Sequence, residues 1–357
     1  MANPLYGNIY DNFGCKWIFG RRSVGRAAVS SGPLSGRGRS GRLSQSDKSQ
    51  LSRIISNAPQ AFVKITSRTY NASSLANTLN YIGRDGDLEL ETRDGPVRDS
   101  EELAALQDDW VMHAKDYDRN GLSARASIST HMVLSMPPKT DRTQFKAAVR
   151  DFVKEEFDPR HDYALAFHDD TDHPHAHLVV LTRDDEGKSL EIGRVNLDRW
   201  REQFAEKLRG RGIEADASPR HARGQFEKTP RSADYHSLRK GIMPQNRRDE
   251  VTAVRQSLWN KAKPERQWDQ AMAVRRAAIG ATYQAAAEEL RQSADPQDRH
   301  LGDRLSAFEK AMPRALTRHQ RVVLNVAKSQ LRAIQEVERP LAATQNRGAE
   351  KQSDAER

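Results

Sequence analysis

Four of the chain's 11 histidines fall within one ten-residue stretch, HDDTDHPHAH, which runs from His168 to His177. His175 and His177 are two residues apart, a spacing that places both imidazoles on the same face of a β-strand. The flanking apolar runs, YALAF and LVVLT, predict two buried strands joined by a polar turn. An antiparallel pair of this kind brings three imidazoles, those of His168, His175 and His177, toward one another.

Three converging imidazoles are a ligand set for one divalent metal ion. We therefore predict a metal site at His168, His175 and His177, with neighbouring carboxylates that orient the rings. Three protein ligands leave coordination positions open for a substrate, as in a catalytic rather than a structural site. Imidazole suits Mn, Fe, Co, Ni and Zn better than Mg. The alternative is a solvated loop that happens to be rich in histidine.

Composition excludes several classes of protein. The sequence has no apolar window long enough to cross a membrane and no apolar segment of a secretory signal near its start. The single cysteine, Cys15, excludes an internal disulfide framework and a cysteine zinc site, so we expect a cytoplasmic protein. The net charge of +9 indicates a polyanionic partner, although basicity alone is a weak signal.

The amino-acid composition and the apolar patterns of the 357-residue chain change along its length. Residues 1–58 are rich in Ser, Gly and Arg, with nine Lys or Arg against two Asp, and we expect a flexible basic arm. Residues 59–245 carry the strand and helix patterns of a folded domain. Residues 246–340 have the interrupted apolar stripes of a helical extension, and residues 341–357 have the composition of a disordered tail.

Within residues 59–245, strand and helix patterns alternate irregularly. Strands are predicted at 61–66, 128–135 and on either side of the histidine turn, with one more at 190–195. Helices are predicted at 74–83, 101–117, 142–157 and 198–209. Strands joined partly by hairpins and partly by helices indicate an α+β fold, with helices packed on an antiparallel sheet.

One tyrosine stands apart from the apolar stripe of its helix. Leu75, Leu79 and Ile82 recur at the spacing of one helix face, whereas Tyr81 points well away from it at about 100° per residue. A tyrosine that fills the core would lie on the stripe, so we expect Tyr81 to face a cleft. An ordinary half-exposed tyrosine is the alternative.

A free tyrosine and a three-histidine metal site together indicate phosphodiester chemistry. The metal would polarise a non-bridging phosphate oxygen, and Tyr81 would be the nucleophile that forms a covalent phosphotyrosine. Because tyrosine has an ordinary pKa of about 10, it needs a positive charge or a base nearby. The metal or Asp170 could supply this help.

The chain contains, in this order, the blocks TLNYIGRDGDLELE, STHMVLSMPP and FHDDTDHPHAHLVV. Together they resemble the motifs of the HUH (His–hydrophobic–His) relaxases of plasmid mobilisation. Within them the chain is most similar to the group of the T-DNA border endonuclease and the broad-host-range plasmid relaxases. In TLNYIGRDGDLELE the nucleophilic tyrosine falls on Tyr81, and in STHMVLSMPP the serine that contacts DNA falls on Ser135. In FHDDTDHPHAHLVV the metal ligands fall on His168, His175 and His177, and the acid falls on Asp170. The similarity covers roughly residues 60–245.

This resemblance implies site- and strand-specific nicking of DNA at a plasmid transfer origin, oriT, through a 5′-phosphotyrosine intermediate. The cofactor would be a divalent metal ion, Mg or Mn first and Zn, Ni or Co otherwise. The partners would be DNA that is single-stranded around the nick, relaxosome accessory proteins and a type IV coupling protein, without membrane insertion. Arg84 is a further candidate for DNA binding. The protein would act in the bacterial cytoplasm and be translocated with the DNA.

Two features depart from the family pattern. Leu181 and Thr182 follow the histidine pair where the family often has Asn, and a lead of about 60 residues precedes the first predicted strand. Neither departure removes a residue that the chemistry needs.

Two other functions compete with this interpretation. The run DHPHAHLV also resembles the histidine-triad nucleotide hydrolases, in which histidine is the nucleophile and His173→Ala would be damaging. The other is a non-catalytic or replication-initiation DNA-binding protein, which would form no covalent adduct. Of the remaining polar residues, we expect His131 to be structural, Asp169 to be solvated, and Asp172 and His173 to shape the turn.

Overall fold

The computed structural model of the chain describes residues 43–118, 127–227, 232–262 and 266–333. These residues fall into two compact units, one of which is Ser49–Ser218; the described residues before 49 and after 218 belong to the other. This division lies earlier than the predicted boundary after residue 245. Most of the predicted arm and the whole predicted tail lie outside the described residues.

The end of the predicted arm is a helix. Helix α1 spans Gln45–Ile55, and its Leu51 and Ile54 are buried. Asp47 and Ser44 exchange hydrogen bonds across the first turn, which satisfies backbone N–H groups that the helix leaves unpaired there. The prediction of a flexible arm through residue 58 is therefore wrong for this part, because its few apolar residues recur at helical spacing.

The first unit is an α+β fold with one antiparallel sheet flanked by helices, as predicted. The strands follow the order β1-β4-β6-β5-β2-β3, and each neighbouring pair is antiparallel. After α1, the elements in chain order are β1 Phe62–Thr69, α2 Ala72–Gly83, β2 Leu90–Thr92, β3 Gly95–Val97, α3 Ser100–Asp118, β4 Ser129–Ser135, α4 Arg142–Glu156, β5 Tyr163–His168, β6 His175–Leu181 and α5 Arg194–Gly210.

Two details of the strand prediction differ from the structure. The strand predicted at 190–195 is wrong, because α5 begins at Arg194 and only an isolated bridge joins Arg183 to Ser189. Strands β2 and β3 were not predicted. Each has three residues, too few for an alternating pattern, and β2 gains its place by pairing Glu91 with Leu165 of β5.

Strands β5 and β6 are buried on both faces of the sheet, which explains their uninterrupted apolar runs. One face packs against α4 and α5 through aromatic rings, among them Phe145, Phe152, Phe157, Trp200 and Phe204. The opposite face packs against α2 and α3 through Leu75, Leu79, Ile82, Leu103 and Trp110.

The second unit is helical, as predicted for residues 246–340, and one further helix lies before that stretch. Its helices are α6 Ser232–Arg239, α7 Gln245–Trp259, α8 Gln267–Arg291 and α9 Pro296–Ala311, and a further helix begins at residue 318. Gly302 lets α8 and α9 approach closely, since a Cβ atom there would lie 2.8 Å from the carbonyl of Ala287. A part-buried pair, Arg276 and Glu309 at 2.9 Å, ties the two helices together. Among the described residues, no helix is long and apolar enough to span a bilayer.

Candidate metal and tyrosine site

The three histidines meet at one end of the sheet, on the face that α2 covers. His168 ends β5 and lies directly opposite His175, the first residue of β6. His177 follows two residues later on the same face. One potential ligand atom from each ring lies within 4.8 Å of those of the other two. Ser135 ends β4 and lies opposite His175 on its other side, so it belongs to the same row.

Two of the rings are fixed by backbone carbonyls. His168 Nε2 donates to the carbonyl of Ile82 at 2.9 Å, close to the end of α2. His175 Nδ1 donates to the carbonyl of His173 at 3.1 Å. These bonds leave Nδ1 of His168 and Nε2 of His175 as the available metal-binding atoms.

The third ring is held by another histidine. His177 Nδ1 lies 2.9 Å from Nε2 of His131 on the adjacent strand β4, which leaves Nε2 of His177 available. Burial, together with His168, lowers the pKa of His131 to about 4. Burial, together with the neighbouring histidines, lowers the pKa of His177 to about 3, and the charge of Asp170 opposes this effect. Both rings are therefore neutral near pH 7, as a metal ligand must be.

A divalent metal ion fits this donor set. Each of His168, His175 and His177 has one nitrogen engaged by a protein group and the other available, an arrangement that fixes ring orientation in metal sites. His131, expected from the sequence to be structural, contacts a candidate ligand directly. The alternation along β4 places it on a definite face, but only the pairing with β6 shows what that face meets.

Tyr81 lies next to the histidine cluster. Its ring is 5.5 Å from that of His177, centroid to centroid and edge to face, and 6.3 Å from that of His168. The Tyr81 residue is 63% exposed, whereas Leu79 and Ile82 on the same helix are fully buried. The orientation predicted from helical phase is therefore found.

Arg84 and Asp170 form an ion pair beside this tyrosine. Arg84 Nη2 lies 2.7 Å from Asp170 Oδ2, and both side chains are about half exposed. Arg84 directly follows α2 and has the left-handed conformation (φ 51°), as does Asp85 (φ 58°). Such a conformation at non-glycine residues costs roughly 1–3 kcal/mol each and is concentrated at functional sites. The turn thus directs Arg84 toward the acid predicted to take part in catalysis.

The exposed polar turn is anchored to α4 by ion pairs. Arg142 and Lys146 lie 2.9 Å and 2.7 Å from the carboxylate of Asp169. Lys146 and then Arg142 hold the pKa of this carboxyl below its usual range. Asp169 is exposed, as expected from the sequence, but it is also ion-paired. Arg142 also donates to the carbonyl of Thr171, whose hydroxyl lies 3.3 Å from His175 Nδ1. Sequence reasoning missed both cations, although their spacing of four residues on one helix face was a signal.

The remaining turn residues play no comparable part in the cluster. Asp172 and His173 are exposed, as expected of residues that shape a turn. His173 contributes its backbone carbonyl, which accepts from Thr171 Oγ1 and from His175.

Comparison with known families agrees with this geometry. Residues 81–213 match the relaxase family whose model describes a MobA/VirD2-like nuclease domain. This part of the chain is similar to a relaxase nuclease domain. The family resemblance predicted from the three sequence blocks is thereby confirmed.

Curated proteins similar to this part of the chain include the T-DNA border endonuclease VirD2 of three bacteria. The proteins of Rhizobium radiobacter and Agrobacterium fabrum (strain C58) are each 33% identical over 186 residues, and that of Rhizobium rhizogenes is 32% identical over 186 residues. Each alignment covers 48% of this chain and 44%, 41% and 42% of the respective relative. The chain therefore spans less than half the length of these relatives.

Proposed function

We propose that the protein nicks one strand of DNA by transesterification to Tyr81. The observation that carries this proposal is the position of the exposed Tyr81 ring, 5.5 Å from His177 and 6.3 Å from His168. A nucleophile and a set of metal ligands side by side match the needs of phosphodiester cleavage.

The proposed step exchanges one phosphodiester for another. The phenolic oxygen of Tyr81 attacks phosphorus, the P–O3′ bond breaks, and the 5′ phosphate stays on the tyrosine. The leaving 3′ oxygen takes up a proton and becomes a free 3′-OH. The phosphotyrosine keeps the bond energy, so the reaction is reversible and needs no nucleotide cofactor.

His168, His175 and His177 are the residues proposed to hold the divalent cation. When bound, the cation supplies a Lewis acid for a non-bridging phosphate oxygen. Imidazole donors are compatible with Mn, Zn, Ni and Co, and Mg is the weaker match to this donor set. The carbonyl of Ile82 and the ring of His131 set the orientation of two of these ligands.

Asp170, Arg84 and Ser135 are assigned supporting roles. Asp170 is proposed to accept the phenolic proton of Tyr81; its charge already reaches His177, beside that tyrosine. Arriving DNA would compete for Arg84, which then pairs with a phosphate instead of the Asp170 carboxylate. Ser135 lies in the same row as His175 and is proposed to contact the strand close to the nick.

The setting proposed for this activity is the transfer origin of a plasmid. The relatives are named as T-DNA border endonucleases. Relaxosome accessory proteins and a type IV coupling protein are the proposed partners, and translocation with the DNA is the proposed outcome. Residues 59–245 are proposed as the nuclease domain and residues 246–340 as the extension available for partners.

A denaturing gel tests the proposal. The purified protein is incubated with supercoiled DNA of its own replicon and Mg²⁺ or Mn²⁺, with Tyr81→Phe and Tyr70→Phe as matched variants. We expect a protease-sensitive, metal-dependent protein–DNA adduct in the wild type and in Tyr70→Phe, and none in Tyr81→Phe. DNA binding without an adduct, in the presence of single-stranded target, would favour a binding-only protein.

A further inference from the structure

Strand β1 extends the face of the histidine cluster to the edge of the sheet. It pairs with β4 so that Phe62 lies opposite Ser135 and Lys64 lies opposite Val133. Residues directly opposite each other in an antiparallel pair point to the same face. Phe62 and Lys64 therefore share the face of Ser135, whose next partner across the sheet is His175.

The pairing sets Phe62 in one row with the candidate metal site. The row runs from Phe62 of β1 through Ser135 and His175 to His168. With strands about 4.8 Å apart, Phe62 lies two spacings, or about 10 Å, from His175 in backbone position. A second row, one step along the strands, runs from Lys64 through Val133 to His177.

Phe62 is a large apolar residue that does not fill the core. The residue is 45% exposed, whereas its neighbour Val63 is fully buried on the opposite face. Lys64 is exposed beside it. An aromatic ring and a cation alternating along one open face match the way in which proteins hold single-stranded nucleic acid, with bases on rings and phosphates on cations.

We propose that Phe62 stacks on a base of the DNA strand close to the scissile phosphate, and that Lys64 contacts a phosphate of the same strand. This inference rests on the proposed function, since the strand would run from Tyr81 across the histidine row to the β1 edge. Phe62 has no hydrogen-bonding group, so it holds a base without reading its identity. Its role is to position the strand, and the row with Ser135 and His175 favours DNA over a protein partner.

The test measures binding to two oligomers in the Tyr81→Phe background, where the DNA stays intact. One is a fluorescent single-stranded oligothymidylate, and the other is an abasic oligomer of equal length and charge. We expect Phe62→Ala to weaken binding of the oligothymidylate by about 5-fold to about 150-fold and to leave binding of the abasic oligomer unchanged. Lys64→Ala should weaken both equally and reduce the salt dependence by about one phosphate contact.

Two further variants separate stacking from damage to the fold. Phe62→Trp keeps an aromatic face and should bind the oligothymidylate as the wild type does. Tyr70→Ala removes another exposed aromatic residue, 58% exposed, that follows the opposite end of β1, and should change nothing. Equal affinity of Phe62→Ala and wild type for the oligothymidylate overturns the inference. Equal losses on both oligomers overturn it as well, because they indicate a structural effect.

The adduct gel separates this inference from the proposed function. An adduct on Tyr81 together with an unaffected Phe62→Ala variant contradicts the stacking role alone. The opposite result is weaker binding of the oligothymidylate by Phe62→Ala together with no adduct in the wild type. It contradicts the nicking function and supports a protein that binds single-stranded DNA without cleaving it.

Discussion

The rings of His131 and His177 are joined by a 2.9 Å hydrogen bond between Nε2 of the first and Nδ1 of the second. The two residues belong to adjacent strands, β4 and β6, and both are buried. His131 therefore fixes the orientation of His177 and leaves the Nε2 atom of His177 for a metal ion. A partner of this kind contributes substantially to metal affinity even though it touches no metal.

His131→Ala should weaken metal binding. We expect affinity for Mn²⁺ or Ni²⁺ to fall by about 10-fold to about 100-fold, the range typical of lost partners of ligating histidines. The measurement is competition with a chromophoric chelator. His300→Ala, which removes an exposed histidine of the helical unit, is the control. Unchanged affinity in His131→Ala would show that His177 needs no partner.

Arg142 should matter more than a neighbouring arginine of the same helix. Arg142 holds the turn through Asp169 and Thr171, whereas Arg150 pairs with Glu91 of β2. We expect Arg142→Ala to weaken metal binding by about 10-fold, because the turn that orients His175 loosens. Arg150→Ala should bind metal as the wild type does. Equal effects of the two substitutions in the chelator competition would contradict the anchoring role.

The stability of the metal-free protein should fall in mild acid. The pKa of His131 is lowered from 6.5 to about 4 and that of His177 from 6.5 to about 3, mainly by burial. Below about pH 6.5 the unfolded chain binds protons that the folded chain does not, so this stability is full above that pH and is lost as the pH falls toward about 4. The slope is at most about 1.4 kcal/mol per pH unit for each histidine.

Urea denaturation in a chelator, at several pH values between about 8 and about 4, measures this dependence. Replacing both His131 and His177 by Gln supplies the control, since the carboxylates that also titrate in acid remain. The slope between about pH 6.5 and about pH 4 should be shallower in the double variant. Identical slopes would mean that neither histidine is held neutral by its surroundings.

Local patterns made much of the site predictable from the sequence. The spacing of His175 and His177 fixed their common face, and the helical phase of Tyr81 turned it away from Leu75 and Leu79. The antiparallel pair around a polar turn then placed His168 opposite His175. Each of these relations lies within one element or one hairpin, where periodicity decides orientation.

The partners of these residues could not be found in the same way. His131 meets His177 only because β4 pairs with β6 in one register, and that register depends on the whole sheet. Arg142 reaches the turn only because α4 packs on the sheet with its first residue next to the turn. The short strands β2 and β3 could not be predicted either, because β2 is held by its pairing with β5 and β3 by its pairing with β2. Helix α1 was missed because its two buried apolar residues, Leu51 and Ile54, lie in a segment whose composition is typical of disorder.

Gly86 should resist substitution more than Gly95. Both have positive φ, 97° and 133°, but a Cβ atom at Gly86 would lie 2.6 Å from the backbone nitrogen of Ser100, whereas nothing lies within 4 Å of one at Gly95. Gly86→Ala adds a backbone clash to the conformational strain, which by itself costs of order 1–3 kcal/mol. Its free energy of unfolding in urea should therefore fall further than that of Gly95→Ala. Equal losses of unfolding free energy in the two variants would mean that the positive φ angle, and not the clash with Ser100, causes the destabilisation.

The attachment site of DNA on the protein tests the central claim most directly. Trypsin cleaves after Arg68 and Arg84, so Tyr70 and Tyr81 lie in the same peptide, Thr69–Arg84. Nuclease treatment of the purified adduct, followed by trypsin and tandem mass spectrometry, leaves a nucleotide remnant whose position the fragment ions report. We expect the remnant on Tyr81. A remnant on Tyr70, or on any residue outside this peptide, would contradict the assignment of the nucleophile.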